Sequence, residues 1–190
     1  EKIHWVQGAV NHAGSHGDPH VLPLLKPVKL EYAPAKKSLS DLIEEGFVDA
    51  TLGTSLPESI RHNPNIARLF PDYVEAEKDY YKRTGIYPMH ATIVVKDEVL
   101  AEHPWVARSL YDAFETAKQD WLKRMASGEL DGANEKKYKK IMKIVGDDPL
   151  PHGMEFNMPT ILKLEDTAFK QGMIPQRVPL EKAWVDPLKV

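Results

Sequence analysis

Among the side chains of this sequence that can carry a proton near neutral pH, the histidines are the ones whose spacing invites chemistry. His12, His16 and His20 form an H-x3-H-x3-H run, which on a helix would line one face and offer a metal site. Gly14, Gly17 and Pro19 fall between them and disfavour a helix, so the run reads as an exposed histidine-bearing loop and no metal ligand is assigned. His12 keeps a separate interest, because it lies just past a strand-like segment, where open α/β sheets place their ligand crevice. His90 closes TGIYPMH (84–90), after Pro88 and flanked by Tyr87 and Thr84, at the entry to an apolar stretch. A titratable ring in that setting can donate or accept a proton. The competing reading of His90 is a histidine satisfied by a backbone carbonyl.

Other clusters carry less. Glu44-Glu45 and Asp147-Asp148 fall at helix ends or turns and read as solvated acids. Lys136, Lys137, Lys139, Lys140 and Lys143 read as the wet face of a helix, since a nucleic-acid surface would need aromatic or Arg contacts as well. No G-x-S-x-G, P-loop, G-x-G-x-x-G or H-E-x-x-H motif is present. The 190 residues contain no cysteine, which excludes disulfides, thiolate metal sites and a cysteine nucleophile. A formal charge of -3 gives no reason to expect nucleic acid or an anionic membrane as partner. No apolar run approaches the ~20 residues of a membrane helix. A hydrophobic share of 42% is enough to build a core.

The elements that would position these residues follow from periodicity. Residues 3–10 read as a short strand, and 11–20 as a Gly/Pro/Asn/Asp-rich loop. VKLEYA (28–33) alternates as a half-buried strand does. Ser38 and Asp41 form a capping-box start, Gly46 a stop, and FVDATLG (47–53) a returning strand, so that 28–53 reads as a βαβ unit with a parallel sheet. Residues 57–71 are the linker candidate. Asp72 opens a helix that Thr84-Gly85 ends, and a buried strand follows around His90. Pro104 starts a long helix over 105–125, its apolar stripe made of Val106, Leu110, Phe114, Ala117 and Trp121. A helix over 135–145 turns Tyr138, Ile141, Met142 and Val145 inward. Another runs from Asn157 through Ile161, Leu164 and Ala168 to Gly172.

Several blocks together resemble the 4,5-dihydroxyphthalate decarboxylase family. They are LSDLIEEGFVDA (39–50), RLFPDY (68–73), TGIYPMH (84–90), HPWVARSLYDAFETAK (103–118) and DPLPHG (148–153) with Asn157. The resemblance runs from the strand around Trp5 to Gly172. It implies an α/β fold of the two-lobed, type 2 periplasmic-binding-protein-like kind with its N-terminal part absent. Residues 1–85 would be the remainder of the second lobe, of βαβ type, and 86–190 the helix-rich C-terminal part of the first.

The activity implied is that of a carboxy-lyase on a dihydroxylated aromatic dicarboxylic acid, of the type that turns 4,5-dihydroxyphthalate into protocatechuate. His90 would be the catalytic residue. Thr54, Ser55, Thr84, Tyr87 and His12 would bind substrate at the cleft. Such a reaction needs a clamp on the ring, a proton for the carbon that loses carbon dioxide, and either a base or a divalent metal at the para hydroxyl. No cofactor is required by the sequence.

The second reading keeps the cleft but not the chemistry: a solute-binding protein of the ABC transporter type for a small aromatic or organic acid. The expected partner is that small acid, with no nucleic acid and no membrane insertion, and a homo-oligomer stays open. The expected compartment is the cytoplasm, or the periplasm if a signal peptide precedes these residues. Three positions depart from the family pattern. Ser55 and Met158 stand where Arg is expected, and His152 where a Tyr is usual. Ser55 offers a neutral hydrogen bond in place of a bidentate cation, which implies weaker dicarboxylate binding.

Overall fold

The computed structural model describes residues 3–14, 25 and 28–190. Its elements in chain order are β1 (His4–Gln7), β2 (Lys29–Tyr32), α1 (Leu39–Glu44), a single 3-10 turn (Glu58–Arg61), α2 (Tyr73–Thr84), α3 (Asp97–Glu102), α4 (Trp105–Ala126), α5 (Ala133–Val145), α6 (Met154–Lys170) and α7 (Leu180–Ala183). The architecture is mixed, helices plus a small parallel sheet. His16 and His20 of the expected histidine run lie outside the described residues. The chain gathers into two compact units: Glu1–Asp72 with Gln171–Pro175, and Tyr73–Lys170 with Gln176–Val190.

In the first unit, β1 and β2 pair in parallel with His4 opposite Lys29 and Gln7 opposite Tyr32. Ser38 caps α1 as expected. Its side chain accepts from the Asp41 amide, while the Asp41 carboxylate accepts from the Ser38 amide at 2.8 Å, so two donors that a helix start leaves orphaned are satisfied together. Gly46 then ends the helix at φ +73°, a conformation only glycine adopts cheaply.

The expected returning strand at 47–53 does not form. The amides of Phe47 and Val48 both donate to the Leu42 carbonyl, at 2.9 and 3.3 Å, so this backbone wraps the end of α1 instead of joining a ladder. The parallel partner of β2 is therefore β1, and the 28–53 βαβ unit is absent. Nor is β2 half-buried: Leu30 and Tyr32 are exposed along with Lys29 and Glu31, because a sheet of two strands offers no second layer to cover it.

The second unit is helical. Thr84 closes α2 through its hydroxyl, which donates to the Tyr80 carbonyl at 2.7 Å, and Gly85 continues at φ +65°. The strand expected around His90 is missing, and residues 85–96 carry no helix or ladder. A strand needs a neighbour to take its N–H and C=O groups, and no other strand is found in this unit among the described residues. Ile93 and Val94 are left exposed.

Helix α4 has the expected length, but its buried face is turned. Lys118 and Met125 are the buried residues, and Tyr111, Glu115 and Leu122 beside them are half-buried; of the expected stripe Val106, Leu110 and Trp121 are half-buried, whereas Phe114 and Ala117 are exposed. Trp121 packs edge-on against Tyr138 of α5, ring centroids 5.1 Å apart. Tyr138, Ile141, Met142 and Val145 are half-buried as the periodicity requires, and Ile161 of α6 is buried while Leu164 faces out.

Candidate functional site

Past the end of β1 the chain runs on through a loop, residues 8–14, laid against the start of α1. The amides of Leu39 and Ser40 donate to the carbonyls of Ala9 and Val10 at 2.9 and 2.8 Å. Donors that could have faced an anion at a helix start are spent on this loop. Ala9 is fully buried beneath it. Gly8 is there because a Cβ at its position would stand 2.8 Å from the Ala33 Cβ.

Asn11 ties this loop to a second one. Its Nδ2 donates to the Leu56 carbonyl at 2.9 Å, and its Oδ1 accepts from the Glu58 amide at 2.8 Å. Behind them the Ser40 and Ser59 hydroxyls meet at 3.1 Å in a buried contact. The consequence is that His12, Thr54 and Ser55 occupy two adjoining loops beyond the C-terminal end of β1, all three exposed. That is the edge of a parallel sheet at which ligands are ordinarily received.

The remaining sequence-predicted site residues, Thr84, Tyr87 and His90, belong to the second unit. Thr84 is committed to the end of α2, its oxygen also accepting from the Ile86 amide at 3.2 Å. Tyr87 is an anchor. Its hydroxyl donates to the Pro149 carbonyl at 3.0 Å, and its own carbonyl accepts from the Thr160 hydroxyl of α6 at 2.9 Å. Burial, together with the nearby Tyr138, Asp148 and Tyr81, raises its phenol above the usual value and keeps it a neutral donor. His90 stands exposed three residues further on.

Pro149 belongs to the DPLPHG loop (148–153), and that loop carries an ionisable cluster of the second unit. Lys118 of α4 is buried, yet its Nζ donates to Asp148 Oδ2 at 2.6 Å and to the Leu150 carbonyl at 3.2 Å, and lies 2.8 Å from Glu115 Oε2. Burial alone would lower the lysine's pKa, but the hydrogen bonds and charges of Asp148 and Glu115 reverse this and raise it. Glu115 in turn takes Gln119 on Oε1 at 2.8 Å and His152 Nδ1 on Oε2 at 3.0 Å. Its burial pushes the carboxyl up, and the bonds from Lys118 and Gln119, with the charges of Lys118 and His152, bring it below its ordinary value.

Asp148 is thus a partner of a buried cation and not the solvated acid its turn position suggests. Asn157 completes the loop's support, its Nδ2 donating to the carbonyls of Pro151 and Gly153 at 3.0 and 2.9 Å. The sequence offered two signals for this cluster, the blocks HPWVARSLYDAFETAK, which holds Glu115 and Lys118, and DPLPHG with Asn157. Nothing local marked their pairing. Among the described residues no group of three or more His, Asp or Glu side chains is arranged to hold a metal, and no helix is long and apolar enough to cross a membrane.

No family model matches the chain. The 4,5-dihydroxyphthalate decarboxylase of Comamonas testosteroni is similar to it, 24% identical over 181 residues. The similarity takes in 93% of this chain and 54% of that protein, so the chain spans about half the length of the curated relative it matches. The similarity supports a relationship to that family.

Proposed function

We propose that this chain is part of a decarboxylase acting on a dihydroxylated aromatic dicarboxylic acid, with 4,5-dihydroxyphthalate as substrate and protocatechuate as product. One observation carries the reading: the similarity to a 4,5-dihydroxyphthalate decarboxylase extends over 93% of the chain. The placement of His12, Thr54 and Ser55 on adjoining loops past β1 is consistent with a carboxylate-receiving edge. In the proposed mechanism Thr84 and Tyr87 fix the segment that carries His90. His90 gives a proton to the ring carbon bearing the second carboxylate. The bond from that carbon to the carboxylate then breaks, carbon dioxide leaves, and the electron pair restores the aromatic ring.

The fold that accompanies this reading is the two-lobed, type 2 periplasmic-binding-protein-like one, with 1–85 in the second lobe and 86–190 in the first. The unpaired apolar stretch at Ile93 and Val94 favours it, since in that arrangement further strands of the first lobe would take up its backbone groups. The test is incubation of the full-length protein with 4,5-dihydroxyphthalate, following protocatechuate by chromatography. Stoichiometric product supports the reading, and folded protein that leaves the substrate intact overturns it.

A further inference from the structure

His152 differs from His4, His62 and His103 in being held by a carboxylate that other side chains also hold in place. Glu115 has Gln119 on one oxygen and both Lys118 and His152 on the other. An ionised carboxylate only accepts hydrogen bonds. The Nδ1 atom, 3.0 Å from Glu115 Oε2, must therefore carry the proton of the neutral ring, which leaves a lone pair on Nε2. Among the described residues that nitrogen has no hydrogen-bond partner, and the side chain is 31% exposed. Tyr111 lies edge-on to the ring with centroids 6.4 Å apart, limiting its rotation. The charged and titratable groups facing His152 are Tyr111, Glu115 and Lys118 from α4, with Asp148 beyond Lys118 on the loop itself.

A loop clamp would not need this arrangement. Lys118 already binds Asp148 and the Leu150 carbonyl, and Asn157 holds two further carbonyls. The Glu115–His152 pair adds a ring whose outward nitrogen is fixed in the basic tautomer, the device by which a carboxylate prepares a histidine for proton transfer. The pair is also tied to the His90 segment, because the Tyr87 hydroxyl bonds Pro149, three residues before His152.

We propose that His152 Nε2 is a second acid–base group of this site, and that its ligand is a phenolic hydroxyl. The net negative surroundings suit a neutral proton donor better than a second carboxylate. In the step, the phenol O–H bond breaks and its electron pair stays on oxygen. The proton passes to Nε2, and the imidazolium so formed is stabilised by Glu115 across the Nδ1–H bond. The phenolate then supplies the electron push that ring protonation requires. This rests on the decarboxylase reading for its substrate class.

The test uses full-length protein and 4-nitrocatechol, whose absorbance reports its own ionisation. Bound ligand is expected to show about tenfold more phenolate at a given pH than free ligand, one pKa unit of preference. His152→Gln is expected to bind it within about threefold but to lose that excess, because Gln accepts a hydrogen bond without taking the proton. Glu115→Gln carries the same readout should His152→Gln fail to fold, and is expected to reduce the excess. An excess unchanged in the folded variants overturns the proposal. Nitrogen-15 NMR of His152 separates the two levels. An Nε2–H tautomer in protein that binds the ligand overturns the proposal alone, whereas an Nδ1–H tautomer with no nitrocatechol binding overturns the substrate class.

Discussion

His90 and Ser55 are exposed side chains on segments anchored by their neighbours, so substitutions there should report on function more than on folding. His90→Gln keeps a hydrogen-bonding group and removes proton transfer. It is expected to lower the rate of protocatechuate formation about a hundredfold or more, with thermal stability unchanged, as measured by steady-state kinetics beside a melting curve. Ser55→Arg would restore a cation at the sheet edge. A charged hydrogen bond contributes ~1.5 to 3 kcal/mol, so calorimetry should find phthalate bound roughly ten- to hundredfold more tightly. Individual residues were legible when their role was local: the Ser38–Asp41 cap and the Thr84-Gly85 stop could be read from adjacent letters. Asp148 was not, because its partner Lys118 lies 30 positions away and a turn acid looks solvated until the buried cation is known.

Helix α4 shows the same limit for an element. Its extent follows from composition and from Pro104, Ser127 and Gly128, but its inward face does not follow from hydrophobicity. Phe114 and Ala117 of the expected stripe are exposed while Val106, Leu110 and Trp121 are half-buried, and the most buried side chains include a lysine that the 148–153 loop covers. Ion pairing holds Lys118 inside, and periodicity carries no information about ion pairs across the chain. Lys118→Met tests this. Truncating one partner of a buried charge network costs ~3 to 5 kcal/mol, and urea unfolding at neutral pH should show a loss of that size.

Two of the four expected strands form, as β1 and β2, and two do not. The segments at 47–53 and around His90 have strand composition, but one is captured by the end of α1 and the other meets no ladder partner in its unit among the described residues. At the end of α6, Asp166 is brought from 3.8 to about 2 by hydrogen bonds from Lys170 and Arg177. A carboxyl depressed in the folded state contributes stability above its unfolded value, and loses it as pH falls through the folded one. Melting temperature should therefore fall between pH 3.8 and about 2 more steeply in the wild type than in Asp166→Asn.

At the scale of the molecule, the interior is thin among the described residues. The buried apolar side chains there are Ala9, Leu39, Leu42 and Pro57 in the first unit and Met125, Pro149 and Ile161 in the second. Removing one should be costly: Met125→Ala is expected to lose about 2 to 5 kcal/mol, much of the stability a domain ordinarily holds. Denaturant titration followed by Trp121 fluorescence would measure it. The mixed class was legible from the order of capped helices and short strands, and the first unit takes in Gln171–Pro175 from far downstream.

That late excursion also sets an order of events. Lys170 and Arg177 flank Gln171–Pro175, and both grip the Asp166 carboxylate, at 2.8 and 2.6 Å, so the five-residue departure is stapled at its base. A ribosome delivers residues 1–72 first, yet this unit receives its last piece only after the long helices have been made. The first unit to begin thus receives its final segment only after most of the second has been made, and its maturation waits on that synthesis.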